Sequence, residues 1–367
     1  FRKLEDADIP CWLDRAYMKG GESWWQQIQE VLKQVEYLVL VMTPGSMASE
    51  VVREEWMYAR QQGVCVLPVI AAENLNISSL PRWMSKVHFY DLGHEMQWER
   101  FVNDLNTCCE QSRVLFKVEN LPDNFVERHV ESEQLVKSLL DENRENAKAI
   151  TIALKGAGGF GKTTLAAALC RNYEIQQAYH DGILWVTLGE HPGDLIGKLS
   201  DLIIRLTGEN PGYATVDAAS DYLAELLIDR EMLIVIDDVW DSAHLRPFLK
   251  GGERCARLIT TRNSDVLPTM IICIDVNEME IREAVQLLRN ELQGGDQSEF
   301  QALAKRLGNW PLLLKLVNAR LREHVRQSEQ SPNVALKYAN KVLDQRSVTG
   351  FDIHDSSERS NAVDVTL

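Results

Sequence analysis

The stretch AITIALKGAGGFGKTTLAAA, residues 149–168, decides the fold of this chain. Its apolar beginning is typical of a buried strand, and its Ala/Leu-rich end is typical of a helix. Between them, residues 156–163 match the phosphate-loop pattern G-x-x-x-x-G-K-[ST] in the strand-then-helix context that the pattern requires. The glycines of the loop are Gly156, Gly158, Gly159 and Gly161. They let backbone N–H groups turn toward a polyphosphate, and the helix N-terminus adds its positive dipole end.

Two side chains at the end of the loop have the chemistry of a nucleotide site. Lys162 is predicted to reach the β- and γ-phosphates, and Thr163 to hold Mg²⁺ through its hydroxyl group. Thr164 completes the predicted nucleotide-binding set. The alternative is a glycine-rich turn without a ligand, but the match of both motif and context favours a site for a nucleoside triphosphate.

The composition is that of an ordinary folded protein. Of the 367 residues, 45% are hydrophobic and 25% are charged, and the length predicts two to three domains of about 100–200 residues each. The net charge of -15 argues against a broad surface for nucleic acid or for an anionic membrane, because such surfaces need an excess of Lys and Arg. We therefore predict no nucleic-acid partner and no membrane partner.

The predicted location is the cytoplasm. The chain has no signal peptide and no run of about 18 uncharged apolar residues. Its seven cysteines include no C-x-x-C pair and no zinc-like spacing with histidine, and most lie in apolar surroundings. We expect most of them to be reduced residues of the protein core.

A second apolar run, residues 232–236, ends in the carboxylates Asp237 and Asp238. Such a run predicts a buried parallel strand that delivers Asp237 to the sheet edge where ligands of open α/β sheets bind. There Asp237 would hold Mg²⁺ through water, and Asp238 would orient the attacking water as the catalytic carboxylate. Arg262, at the end of the next predicted strand, would sense the γ-phosphate, although a salt-bridged surface arginine is the alternative.

Four motifs in this order and spacing resemble the NB-ARC module of the STAND class of NTPases, which plant disease-resistance proteins share with apoptosome scaffolds. They are FVER (125–128), GAGGFGKTT (156–164), LIVIDDVW (233–240) and RLITTR (257–262). The resemblance spans about residues 125–345. It implies that ATP or ADP is the ligand, that Val126 and Arg128 line its adenine and ribose end, and that Arg262 is the sensor.

The segment Gly308-Asn309-Trp310-Pro311-Leu312 is similar to the G-L-P-L motif of the same family, with Asn309-Trp310 where Leu is usual. The resemblance implies that Pro311 packs against adenine. A helix–turn–helix without any ligand contact is the alternative.

Residues 1–113 alternate strand-like and helical patterns, which predicts an α/β domain with a mostly parallel sheet. The apolar runs 37–42 and 64–70 are the predicted strands. Residues 43–46, which follow the first of these runs, are a predicted loop. Ser49 is the predicted N-cap of a helix that runs to about Gln62.

The order of these pieces resembles a Toll/interleukin-1 receptor (TIR) domain. The matching stretches are Trp12-Leu13-Asp14, GGESW at 20–24, YLVLVM at 37–42, TPGSMASEVVREEW at 43–56 and VLPVI at 66–70. The resemblance implies a flavodoxin-like fold whose first strand is missing before Phe1. It also implies either self-association as an adaptor or cleavage of NAD⁺ at its nicotinamide bond.

The family's catalytic glutamate falls on Glu55. A carboxylate there suits the reaction, because loss of nicotinamide leaves an oxocarbenium-like ribose that a nearby negative charge stabilises. Glu54 points roughly 100° away around the helix, so the two carboxylates do not face one pocket. Trp56 stands where an aliphatic residue is usual, and a solvated helical glutamate is the alternative role for Glu55.

The predicted domain order is a TIR domain (1–113), a linker (114–124), a P-loop nucleotide-binding domain (125–290), a helical subdomain (291–345) and the start of a winged helix (346–367). The chain resembles a fragment cut at both ends. The family's M-H-D signature and any sensor repeats are expected beyond Leu367.

Three functions are compatible with these patterns. The first is an ATP/ADP-operated signalling switch in defence or cell death, which self-associates through TIR–TIR contacts after a missing C-terminal region senses a trigger, and then cleaves NAD⁺. The second is a metabolic P-loop ATPase or kinase, for which no second-substrate site is found. The third is a TIR adaptor that only holds partners together.

Overall fold

The computed structural model describes residues 2–13, 23–76, 80–81, 83–84, 87–107, 114–140, 150–269, 271–328 and 331–346. The chain divides into two compact units, residues 1–116 with 180–182, and residues 117–179 with 183–367. The predicted start of a winged helix lies outside the described residues, except for Arg346, the last residue of a helix.

The first unit is built on a parallel sheet with the strand order β1-β2-β3. Strands β1 and β2 pair along their whole length, from Tyr37 with Cys65 to Met42 with Ile70. The elements in chain order are α1 (Arg2–Glu5), α2 (Trp24–Leu32), β1 (Tyr37–Met42), α3 (Pro44–Ala48), α4 (Glu50–Gln62), β2 (Cys65–Ile70), β3 (Tyr90–Asp91) and α5 (Glu95–Leu105).

The prediction of a loop at residues 43–46 is wrong, because a short helix, α3, begins at Pro44. The Thr43 side chain accepts a hydrogen bond from the Ser46 amide, and the Ser46 side chain accepts one from the Thr43 amide. This reciprocal cap, with proline at the first helical position, stabilises a helix that is too short to show a periodic pattern.

The prediction for Ser49 is confirmed, since its side chain accepts a hydrogen bond from the Val52 amide at the start of α4. The helix ends at Gln62 before Gly63, whose φ of 84° is the left-handed conformation that favours glycine at this position. Trp56 on α4 is buried and lies 5.4 Å from the Trp83 ring, so the departure from an aliphatic residue is accommodated by an aromatic pair.

The strands after the first unit's β3 are β4 (Leu115–Phe116), β5 (Ile150–Lys155), β6 (Gly182–Gly189), β7 (Met232–Val239), β8 (Ala256–Thr261) and β9 (Ile272–Asp275). The short strand β4 ends the first unit. Within the described residues of the second unit, the sheet has the strand order β6-β7-β8-β5-β9. The pairings of β5 with β8 and β9, and of β7 with β8, are parallel.

Helices connect and follow these strands. They are α6 (His129–Leu139), α7 (Lys162–Leu169), α8 (Tyr173–Ala178), α9 (Leu195–Thr207), α10 (Val216–Leu226), α11 (Ser242–Leu245), α12 (Ile281–Leu288), α13 (Gln297–Arg306), α14 (Pro311–Ser328) and α15 (Pro332–Arg346). Two short 3₁₀ helices, Arg246–Phe248 and Ser264–Val266, flank β8. The α/β class with parallel sheets and a helical C-terminal region, predicted from the sequence, is confirmed.

The last four helices share one apolar core, which we call the helical cluster. Phe300 and Leu303 on α13 and Leu314 on α14 are fully buried in it, together with Ala284 and Leu288 on α12. Val126, which precedes the phosphate loop in the chain, is part of the same core. The helical cluster therefore packs against Val126, which lies N-terminal to the phosphate loop, although its four helices lie C-terminal to that loop.

The cysteines differ in burial and in oxidation state. Cys170 and Cys255 are buried free thiols, as expected, whereas Cys273 is an exposed free thiol and Cys65 is disulfide-bonded.

Among the described helices, none is long and apolar enough to cross a membrane.

Candidate functional site

The phosphate loop connects β5 to α7 with a backbone that only glycine adopts without strain at several points. Gly161 precedes α7 with φ of 88°, and Gly159 has φ of 75°. Gly156 has φ of 154°, and a Cβ atom there would lie 2.3 Å from the backbone oxygen of Val276. The loop therefore passes directly against the segment that follows β9.

The backbone oxygens of the loop are bound by side chains. The Lys162 Nζ donates to the oxygens of Gly156 and Ala157, at 2.8 and 2.9 Å. The Trp310 Nε1 donates to the Gly158 oxygen at 3.0 Å, and the Arg128 Nη1 donates to the Phe160 oxygen at 3.3 Å. Because a carbonyl and the next N–H point in opposite directions across a trans peptide, fixing these oxygens also fixes the directions of the loop N–H groups.

Lys162 is buried and carries an unusually acidic ammonium group. The pKa of Lys162 falls to about 8, mainly because of burial. The positive charge of Arg262 lowers the pKa further, whereas the negative charges of Asp238 and Asp237 oppose the decrease. Lys162 thus lies within electrostatic reach of Arg262 and of both aspartates.

Asp237 lies near the end of β7, two residues before its last residue Val239, and is buried. Its Oδ1 accepts hydrogen bonds from the Thr163 hydroxyl at 2.8 Å and from the Thr260 hydroxyl at 2.7 Å. Burial raises the pKa of this carboxyl group, and the two threonine hydrogen bonds oppose the increase. The two predicted magnesium ligands, Thr163 and Asp237, are therefore brought into direct contact.

Asp238 follows at a point where the pairing of β7 with β8 shifts register between Ile236 and Val239. Its φ of 54° is rare for a residue other than glycine, and its amide N–H donates to the Thr260 hydroxyl at 2.9 Å. A strand irregularity of this kind changes the direction of the side chain at the irregular position.

Arg262 follows β8 and is exposed, with its guanidinium 5.2 Å from the centre of the Trp240 ring. The stacking holds the arginine over the residue that comes after β7. The predicted sensor is thus close enough to affect the pKa of Lys162 while its charged group remains accessible.

Arg128 is buried and its guanidinium is engaged by protein groups from four segments. Besides the Phe160 oxygen, its Nη1 and Nη2 donate to the oxygens of Asn277 and Glu278, at 3.3 and 3.2 Å, and Nη2 pairs with Glu131. Its Nε makes no hydrogen bond but lies 3.3 Å from Glu283 Oε2 on α12. Arg128 therefore ties the phosphate loop to the first helix of the helical cluster.

The remaining residues predicted for the nucleotide are apolar or belong to the loop helix. Val126 is buried in the helical cluster, and Pro311 is buried at the first position of α14. Gly158 is buried within the loop, and Thr164 is half-buried on α7. Their assignment to adenine or phosphate stays a prediction.

Glu55 belongs to the first unit, in the middle of α4. It is half-buried, whereas Glu54 is exposed, so the two side chains have different surroundings, as helical geometry predicted. A cavity of about 420 Å³ in this unit is lined by Lys3, Asp6, Ala7, Leu92, Gly93, Glu95 and Trp98, without Glu55. The NAD⁺ role of Glu55 stays a prediction.

In the described part of the chain, no group of three or more His, Cys, Asp or Glu side chains is arranged to hold a metal ion. The Thr163 hydroxyl and the Asp237 carboxylate nonetheless fit Mg²⁺, which is bound in nucleotide sites by one or two protein oxygens together with water and phosphate.

Three residues at the site were not identified from the sequence. Thr260 binds both aspartates, Trp310 binds the phosphate loop, and Glu283 faces Arg128. Thr260 directly follows the apolar residues Leu258 and Ile259, which is a weak signal that it has a buried partner. No local pattern marks Glu283.

Comparison with protein families finds two matches. Residues 128–297 match the family model described as "NB-ARC domain", and residues 1–105 match the one described as "TIR domain". The two matched ranges contain the motifs on which both resemblances rest, apart from residues 125–127 and the segment at 308–312.

Several known proteins are similar to parts of this chain. Apoptotic protease-activating factor 1 of Danio rerio is 27% identical over 262 residues, covering 64% of this chain and 20% of that protein. Disease resistance protein RGA2 of Solanum bulbocastanum is 26% identical, covering 55% and 23%, and TMV resistance protein N of Nicotiana glutinosa is 25% identical, covering 52% and 18%. The chain thus spans about a fifth of the length of these relatives.

One solved structure is that of a Signal Transduction ATPase with Numerous Domains (STAND) protein with a tetratricopeptide repeat sensor from Pyrococcus horikoshii. It aligns with a TM-score of 0.41 and 19% identity over 56% of this chain and 32% of that chain.

Replacing Gly156 by alanine should destabilise the second unit by about 3 kcal/mol or more, because the added Cβ meets the Val276 oxygen and the backbone is strained. Gly189→Ala is the matched control, since Gly189 also has a positive φ, 70°, but open space around it, and should cost about 1–2 kcal/mol. Denaturant unfolding measures both. Equal losses would contradict the close approach of the loop to Val276.

Replacing Arg128 by methionine should cost about 3–5 kcal/mol of unfolding free energy, because it leaves Glu283 buried without its cation. Adding Glu283→Gln to Arg128→Met should recover part of the loss. Arg282→Met, at an exposed arginine on the same helix, should change the unfolding free energy by about 0.5 kcal/mol or less. Equal losses of unfolding free energy in Arg128→Met and Arg282→Met would contradict the role of Arg128 in connecting the phosphate loop to α12.

Proposed function

Since the chain joins a TIR domain to an NB-ARC domain, we propose that it is an ATP/ADP-operated signalling switch, and that its TIR domain cleaves NAD⁺ when the switch is on. The NB-ARC domain is a nucleotide-binding module, and the relatives include proteins named for disease resistance. A role in defence signalling is proposed on that likeness, and cytoplasmic location and TIR–TIR self-association are proposed with it.

The observation that carries the nucleotide part is the contact between the Thr163 hydroxyl and Asp237 Oδ1 at 2.8 Å. It joins the start of the loop helix to the end of β7, where the β- and γ-phosphates of a bound triphosphate belong. Thr163 and Asp237 would hold Mg²⁺, which supplies positive charge to the phosphate oxygens during hydrolysis. Asp238, the next residue of β7 and half-buried, would orient the attacking water.

Lys162 lies where its ammonium group can reach the phosphates of a nucleotide. The group donates to the oxygens of Gly156 and Ala157, so it is held at the phosphate loop. The phosphate oxygens of a nucleotide carry full negative charge, which makes them stronger acceptors for an ammonium group than backbone oxygens. Lys162 would therefore supply one positive charge to the phosphates, and Arg262 lies near enough to add a second.

Control of the switch follows from Arg128. Because its guanidinium binds both the Phe160 oxygen and Glu283, a movement of the loop on nucleotide exchange is transmitted to α12. ADP and ATP would then stabilise different arrangements of the loop and the helical cluster. Hydrolysis resets the arrangement and feeds no other reaction, so slow turnover is expected.

The proposed output is chemistry at Glu55. In NAD⁺ cleavage the bond between the ribose and the nicotinamide nitrogen breaks, nicotinamide leaves with the bonding pair, and positive charge develops on the ribose. A half-buried carboxylate stabilises that charge more than an exposed one, because water screens it less. This distinguishes Glu55 from its exposed neighbour Glu54.

Replacing Lys162 by alanine should weaken ADP binding about 30-fold or more, because a charge-assisted contact with phosphate is lost. Isothermal titration calorimetry with ADP measures the dissociation constant. Lys155→Ala is the matched control, since Lys155 ends β5 beside the loop but pairs with Asp275 at 3.4 Å. Full ADP affinity in Lys162→Ala would sink the switch proposal.

Replacing Glu55 by glutamine in the full-length protein should lower NAD⁺ consumption after activation about 100-fold or more, because the charge that stabilises the ribose cation is lost. Nicotinamide release and NAD⁺ levels measure this, with Glu54→Gln as the control. Unchanged consumption in Glu55→Gln would assign the chemistry to another residue. Absence of NAD⁺ loss in the unmutated, activated protein would favour the adaptor role instead.

A further inference from the structure

Trp310 is the residue of the helical cluster that contacts the phosphate loop through a hydrogen bond to Gly158. Its indole Nε1 donates to the Gly158 oxygen at 3.0 Å, and its ring centre lies 6.1 Å from that of Phe160, with the planes 32° apart. A Cβ atom added to Gly159 would lie 2.8 Å from Trp310 Nε1 and 2.8 Å from Leu312 Cβ. The loop and the start of α14 are therefore in direct contact.

The position of Trp310 is fixed by its own backbone. Its amide N–H donates to the Leu307 oxygen at 3.2 Å, and its oxygen accepts the first bond of α14 from Leu314 at 2.9 Å. The Asn309 oxygen before it accepts from Met279 at 3.0 Å. Because the residue before a proline is restricted to extended conformations, Pro311 limits it further. The indole thus moves with α14 and not independently of it.

The hydrogen bond also sets the direction of a peptide in the loop. Gly158 is buried, and a buried backbone oxygen without a donor costs free energy. While Trp310 binds that oxygen, the N–H of Gly159 points the other way, because both belong to one trans peptide. If the peptide turned over, the oxygen would take the place of the N–H and repel a phosphate. A leucine at position 310 would keep the apolar packing but offer no donor.

We propose that Trp310 is a positioning residue for the nucleotide phosphates, and that it couples their binding to the position of α14. The ligand class is a nucleoside diphosphate or triphosphate, because the peptide that Trp310 holds belongs to the phosphate loop. The inference rests on the proposed nucleotide-binding function and goes beyond it by assigning the coupling to one indole N–H. By thermodynamic reciprocity, whatever displaces α14 then weakens nucleotide binding by the same factor.

The test compares two tryptophans. Trp310→Phe keeps an aromatic ring and removes the N–H. Trp185→Phe is the matched control, because the Trp185 Nε1 also donates at 3.0 Å, to the Thr187 hydroxyl on β6, away from the loop. Calorimetry on the full chain measures the affinity for ADP. Tryptophan emission is followed during a titration with ADP, and hydrogen exchange of residues 156–161 and 311–328 is measured with and without ADP.

In the unmutated protein and in Trp185→Phe, ADP should bind with the same affinity, change the tryptophan emission and slow exchange in both segments. In Trp310→Phe, ADP binding should weaken about 3- to 10-fold. The emission change should be lost, and ADP should no longer slow exchange in residues 311–328. If Trp310→Phe is unfolded by circular dichroism, Trp310→Leu takes its place with the same expected result.

Two outcomes overturn the inference and differ from each other. ADP affinity, emission change and exchange in Trp310→Phe equal to those of Trp185→Phe would show that the indole N–H positions nothing, while the proposed nucleotide function would stand. No ADP binding by the unmutated protein would overturn the proposed function and this inference together.

Discussion

The second unit depends on how four backbone oxygens of the phosphate loop are satisfied, those of Gly156, Ala157, Gly158 and Phe160. A loop that binds anions must direct its N–H groups at the ligand, so its oxygens need donors elsewhere. Three side chains supply them: Lys162 from the loop helix, Arg128 from the segment before α6, and Trp310 from the start of α14. Two of the three come from outside the motif, so the shape of the loop is set by parts of the chain that the motif does not include.

This arrangement places buried charge where a simple scaffold would avoid it. Lys162, Arg128 and Asp237 are all buried, and burial lowers the pKa of Lys162 and raises that of Asp237. Such groups are retained only when partners compensate them, and the partners here lie in the loop itself and on β8, α6, α7 and α12. The contacts of Arg128 that offset its desolvation also connect the phosphate loop to the helical cluster, so the proposed regulation would use the same interactions that stabilise the second unit.

Local sequence patterns predict many of the helices and strands of the second unit but few of the long-range side-chain contacts between them. The strand β5, the loop and α7 follow from one continuous motif, and β7 with its terminal carboxylates follows from an apolar run. The contacts of Thr260, Glu283 and Trp310 join residues far apart in sequence, and their geometry depends on sheet register and helix packing. In the first unit, capping chemistry predicts the role of Ser49, whereas α3 is too short to show a hydrophobic repeat and its sequence is that of a loop.

The pairing of Trp310 with Gly159 restricts both positions. Any side chain at 159 would meet the indole and Leu312, and a residue without a donor at 310 would leave the buried Gly158 oxygen unsatisfied. Trp310 and Gly159 are therefore one interaction shared by two elements. The loop is the proposed phosphate site and α14 belongs to the helical cluster, so this contact connects the two. A phosphate loop held in this way is linked to the helical cluster, which the proposed switch requires and a simple NTPase does not.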